Sequence, residues 1–146
     1  MAAQSGIYGE QLLKAFKGTL PDIESTNVMC LMVEDTVAPD FDTHVDTSDI
    51  TSEVTAGNGY TAGGKALDAT PSLSTATPAS GQVNYDSANV AWASSTITDA
   101  MAAVLWYDDA SDYLIMMSDF GTAASTSNGT FTIQVDTNGW FYFDHD

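Results

Sequence analysis

Asp40, Asp42, His44 and Asp46 alternate with Phe41, Thr43 and Val45 near the end of the first third of the chain. On an extended strand these four side chains share one face. Oxygen ligands at the first, third, fifth and seventh positions are also how a calcium loop begins. Such a loop then needs a turn glycine and a closing bidentate glutamate, and Val45 and Thr51 stand there instead. The stronger reading is a charged strand edge that discourages edge-to-edge pairing, with no metal. A second acidic group, Asp108, Asp109 and Asp112, has the residue types of a glycosidase carboxylate pair. It lies between two apolar runs, where aspartate serves turn chemistry.

Other chemistry finds less support. The two histidines, His44 and His145, adjoin no nucleophile motif. His145 lies between two acids and reads as part of a tail. Arginine is absent, which excludes an arginine clamp on phosphate or carboxylate. Lys65 follows Gly63-Gly64, but the surrounding residues do not form a phosphate-loop pattern. Tyr60, Trp106 and Trp140 could stack on sugars if exposed, although a tryptophan inside an apolar strand is core material first. No catalytic, cofactor-binding or metal-binding residue is assigned, and the expectation is a protein that is not an enzyme and carries no cofactor.

The elements that must hold these residues are mostly strands. The stretch Val83–Gly121 reads as three of them: Val83–Trp92, Asp99–Tyr107 and Tyr113–Phe120. In the second, Ala100, Ala102, Val104 and Trp106 point one way, and Met101, Ala103, Leu105 and Tyr107 the other. Apolar residues on both faces require a cover on both, from a second sheet and from another element or subunit. Asn27–Glu34 repeats this pattern and contains Cys30, which has no disulfide partner in the chain and reads as a small core residue. A short irregular strand is expected at Leu67–Leu73, followed by an exposed Ser/Thr/Pro loop to Gly81. Thr130–Val135 alternates with Phe131, Ile133 and Val135 inward, and Asn138-Gly139 predicts a hairpin returning through Trp140–Phe143. Asn128-Gly129-Thr130 fits a glycosylation acceptor but reads as a turn.

Residues 6–17 are the helix candidate, with Ser5 as N-cap and Gly18 as left-handed C-cap. Tyr8, Leu12 and Phe16 would form its buried face, joined by Leu13. Lys14 and Lys17 suit the last turn, where they complement the helix dipole; the alternative is contact with an acidic partner. Gly9 costs such a helix about 1 kcal/mol against alanine. Residues 1–22 are thus expected to form a helical arm on a single domain of 146 residues. The fold class expected is mainly β, an antiparallel β-sandwich or jelly roll of about eight strands with one short N-terminal helix.

The charge is lopsided: three lysines against twenty acids give a net charge of −17, and no lysine follows Lys65. Such a surface repels phosphate, so neither nucleic acid nor an anionic membrane is an expected partner. No signal peptide and no spanning apolar run are visible, and synthesis in a cytoplasm is expected.

The segments GYTAGGKAL, VNYDSANVAWASSTIT, AAVLWYDD, LIMMSDFG and GTFTIQVDTNG, in that order, resemble a recurrent family of small tailed-phage virion proteins. The helix followed by VMCLMVED is similar to that family's opening, so the resemblance covers most of the chain. It implies an all-β decoration or cement protein on the capsid surface, bound over joints between major capsid subunits, with a homotrimer favoured. A tail or baseplate component is the alternative within the same resemblance, and a carbohydrate-binding module the alternative outside it. The segment DAMAAVLWYDD departs from the family pattern: Asp99 and Ala100 stand where a basic residue is expected, so any contact made by that base is in doubt.

Overall fold

The computed structural model describes residues 4–34, 36, 38–75 and 81–144. The expected tail histidine, His145, and residues 76–80 of the expected exposed loop lie outside them. In chain order the elements are β1 (Gly6–Ile7), α1 (Gly9–Lys17), β2 (Val28–Glu34), a 3-10 turn (Thr47–Asp49), β3 (Lys65–Ala66), β4 (Ser72–Ser74), β5 (Gln82–Asp86), β6 (Val90–Tyr107), β7 (Tyr113–Ile133) and β8 (Phe141–Asp144). They build two antiparallel sheets, ordered β1-β7-β6-β2-β3 and β4-β5-β8. The fold is mainly β with one short helix, as the sequence indicates.

The larger sheet is apolar on both faces, and both are covered. Cys30, Met32, Ala103, Leu105 and Ile115 pack toward Tyr85, Val90 and Phe131 in the main core, with Trp140 and Phe141 against it. Leu31, Val33, Val104, Trp106, Leu114 and Met117 face the other way, onto Tyr8, Phe41 and Ile50. This second cover comes from the chain itself: the segment after β2 returns across the sheet, and the Phe41 ring packs tilted against Tyr8 with centroids 5.1 Å apart.

The alternation of faces expected for residues 100–107 holds with one slip. A register shift between Ala100 and Ala102 turns Ala100 into the main core and Met101 onto the opposite face, reversing the expected sides of these two residues. A bulge adds one unpaired residue and so exchanges the faces beyond it. Further shifts occur between Trp92 and Ala100, and Ser94, Asp99 and Asn128 have positive φ. These irregularities bend one continuous β6 where the sequence suggests separate strands, and β7 likewise runs on to Ile133.

Two other expectations are corrected. The helix starts at Gly9, because Gly6 and Ile7 pair with Met117 and Met116 as the edge strand β1. Ser5 therefore does not cap it; its hydroxyl accepts the Asp119 N–H at 2.9 Å. Gly18 does end the helix in the left-handed conformation. Gly9 has its reason in the packing, where its N–H donates to the Phe41 carbonyl at 2.7 Å and a Cβ would press on that oxygen. The second correction concerns the C-terminal hairpin. Asp136 and Gly139 close the turn, but β8 pairs with β5, while Thr130–Ile133 belongs to β7 and pairs with β6. The Trp140 N–H donates to the Tyr85 carbonyl at 2.8 Å, so the turn passes the chain from one sheet to the other.

Candidate binding groove and exposed apolar face

The acidic clusters singled out in the sequence are turn-forming groups. Asp40 accepts the N–H groups of Asp42 and Thr43, each at 3.0 Å, and heads a turn rather than a strand. Asp40, Asp42, His44 and Asp46 consequently do not share a strand face. Hydrogen bonds from Thr43 and from the backbone of Asp42 hold the Asp40 carboxyl below its ordinary range. Asp46 caps the 3-10 turn by accepting the Ser48 N–H, and Asp49 reaches back to accept the N–H groups of Val45 at 2.8 Å and Asp46 at 3.3 Å. Asp109 accepts the Ser111 N–H in the β6–β7 connection, and Asp112 there has a positive φ. Among the described residues no three or more His, Cys, Asp or Glu side chains are placed to hold a metal ion.

Asp49 gives a pH prediction. Backbone donation from Val45 and Asp46 lowers its carboxyl in the folded state. A depressed carboxylate contributes stability above its unfolded pKa, and that contribution is lost as pH falls through the folded value. Asp49→Asn should therefore lower the melting temperature at neutral pH and converge with the unaltered protein in acid. Thermal melts across pH check this; a gap that stays constant into acid would refute it.

The aromatic residues proposed as a sugar platform have other positions. Tyr60 and Trp106 are buried. The Trp106 Nε1–H donates to the Gly63 carbonyl, and Trp140, half-buried, donates from Nε1 to the Ser87 hydroxyl at 2.8 Å. Tyr60 belongs to a node the sequence does not announce. Its hydroxyl accepts the buried Met32 N–H at 2.9 Å and donates to Glu53 Oε1 at 2.8 Å, and the same carboxylate accepts the Gly63 N–H at 2.6 Å. This ties the outer edge of β2 to the glycine-rich segment. Cys30 is fully buried, and burial raises its thiol well above the ordinary value, as expected of core packing rather than reactivity.

The lysines differ in their engagement. Lys65 pairs with Asp68 and donates to the Ala91 carbonyl at 3.0 Å. Lys14 lies 3.9 Å over the Tyr113 ring and pairs with Glu10 at 3.5 Å. Lys17 is exposed at the end of α1 and has no described partner.

Two apolar surface features stand out among the described residues. One is a groove of about 630 Å³ along the distal half of β7, walled by the turn before β8. Phe120, Phe131, Ile133 and Trp140 supply its apolar lining, and Asp119 and Asp136 its carboxylates. One oxygen of each carboxylate accepts a backbone N–H, from Gly121 and Asn138 respectively. The size suits a ligand or an inserted side chain. The other feature is an exposed apolar face. Phe16 is 89% exposed and Leu13, one helical turn earlier, 44%. Beside them a wholly apolar hollow lies between α1 and the smaller sheet, lined by Leu12, Ala15, Leu73 and Phe143 among others. The sequence places Phe16 on the buried face of the helix; the structure leaves it outside, because β1 and Tyr8 fix the helix so that Gln11, not Phe16, is buried. No local signal marks the groove, which forms only when β7 and the β8 turn come together.

No family model, no curated protein and no solved structure matches this chain.

Proposed function

We propose that this protein is a non-enzymatic structural subunit of a tailed-phage particle, bound to the outside of the capsid and reinforcing contacts between major capsid subunits. One observation supports the non-enzymatic part. Asp40, Asp46 and Asp109, from the two acidic clusters, are engaged in turn hydrogen bonds, while the large apolar side chains that are exposed lie on α1 and the smaller sheet. An exposed apolar face of this kind supports action by contact with a partner. The capsid assignment rests on the ordered motifs that resemble small virion proteins. The high negative charge fits an outward surface that keeps particles apart.

The partner under this reading is the major capsid protein, and the location is the virion surface. Copy number tests it, by quantitative mass spectrometry of purified particles against the major capsid protein. Hundreds of copies per particle are expected. A handful would move the protein to the tail or baseplate, and absence would remove the virion reading.

A further inference from the structure

We propose that the outer face of α1 is one half of a contact between copies of this chain, and that the other half is the β7 groove of the neighbouring copy. In this contact Phe16 and Leu13 enter the groove, and Lys17 faces Asp119 and Asp136.

The two surfaces match in apolar character and in charge. Phe16 is almost entirely in water, and Leu13 extends its apolar surface by one helical turn. A phenylalanine buries about 150–250 Å² when it is covered. The groove of about 630 Å³ has room for it and offers Phe120, Phe131 and Trp140 as aromatic neighbours. Charge then selects the occupant. A chain of net charge −17 repels its own copies overall, so a contact between copies is favoured where a base meets an acid. Lys14 and Lys65 already have partners within the protomer, and Lys17, one residue from Phe16, has none among the described residues. The helix face is thus apolar with a cation, and the groove is apolar with two carboxylates.

The helix face and the groove are different surfaces, so copies joined head to tail form a ring where the rotation between them closes and a filament where it does not; the closed ring is the arrangement proposed. This contact is a property of the isolated protein and does not depend on the capsid reading. A protein that forms the ring yet is absent from virions would separate the two.

Sedimentation velocity on the full chain tests it, using Phe16→Ala to remove the helix contact and Thr122→Trp to fill the groove at an exposed lining position. Circular dichroism and melting first establish that both variants are folded. The unaltered protein is expected to sediment as a closed oligomer. Each variant alone should be monomeric, with self-affinity reduced at least about tenfold, as for a truncated hot spot. Mixed together, the two variants should form a one-to-one dimer, because the helix of Thr122→Trp still fits the groove of Phe16→Ala. A monomeric unaltered protein would overturn the proposal. So would a Thr122→Trp variant that still self-associates, or a mixture that stays monomeric.

Discussion

Gly64→Ala is expected to remove a large part of the stability, a loss on the order of 4 kcal/mol or more against the 5–15 kcal/mol that holds most domains together. Gly64 has φ +76°, and a Cβ there would overlap the Cys30 carbonyl and press on the Leu31 Cα. Those are backbone atoms of β2, a central strand of the larger sheet, and they cannot withdraw without breaking its pairing with β6. The neighbouring glycine is the control. Gly63 has φ +81°, but a Cβ there would make an ordinary 3.6 Å contact with the Trp106 ring. Gly63→Ala should then cost only the left-handed conformation, about 1–2 kcal/mol. Urea denaturation of both variants makes the comparison. Equal losses would mean that the close approach of Gly64 to β2 does not limit stability.

Tyr60→Phe is expected to destabilise by about 2–3 kcal/mol while changing the core volume little, because it leaves the buried Met32 N–H unpaired and takes one of two donors from the Glu53 carboxylate. The Met32 N–H lies in a strand whose β3 partner reaches only Met29 and Cys30, so the tyrosine hydroxyl replaces the missing ladder bond. Glu53 would keep the Gly63 N–H but lose the hydroxyl. Denaturant melts should show a lower midpoint with an unchanged slope; a loss below about 0.5 kcal/mol would mean water satisfies the Met32 N–H equally well.

The same residue bears on alkaline stability. Burial raises the phenols of Tyr8, Tyr60 and Tyr85 well above the ordinary value. For Tyr60 the Met32 N–H opposes that shift and Glu53 adds to it. Above about pH 10 the unfolded chain releases these protons while the folded chain keeps them, so stability falls as pH rises. Tyr60→Phe should flatten part of that fall.

The sequence makes some of this architecture legible and conceals the rest for identifiable reasons. The two-sided apolar pattern of residues 27–34 and 113–120 indicates strands, and both lie within β2 and β7 to within a residue at their starts; Gly18, the Asp108–Asp112 connection and Asn138-Gly139 indicate turns, and these stand where local chemistry puts them. The reading fails where local pattern and tertiary partner diverge. Positive φ at Ser94 and Asp99 bends a strand without a glycine to mark it. The asparagine-glycine turn indicates a hairpin, but β8 pairs through Phe141 with Tyr85, more than fifty residues upstream. Phe16 fits an amphipathic face in sequence, yet its burial depends on where β1 anchors the helix. Glu53 has no local feature that distinguishes it from a surface acid. Its role exists only once Tyr60, Gly63 and Met32 converge on it.

The way β1 joins the sheet constrains the order in which the fold can assemble. β6 and β7 are neighbours in sequence, joined through residues 108–112, and their pairing closes a short loop. β1 reaches the same β7 from the far side, and the Ser5–Asp119 hydrogen bond spans 114 residues. Closing so long a loop carries a larger entropy cost and is rewarded only after β7 is in place. The β6–β7 ribbon is therefore the natural nucleus, and the N-terminal strand docks late. A late-docking edge is also the first to open, so amides at Ile7 and Tyr8 should exchange with solvent sooner than those of Val104 or Leu105, and α1 should detach with them as one unit.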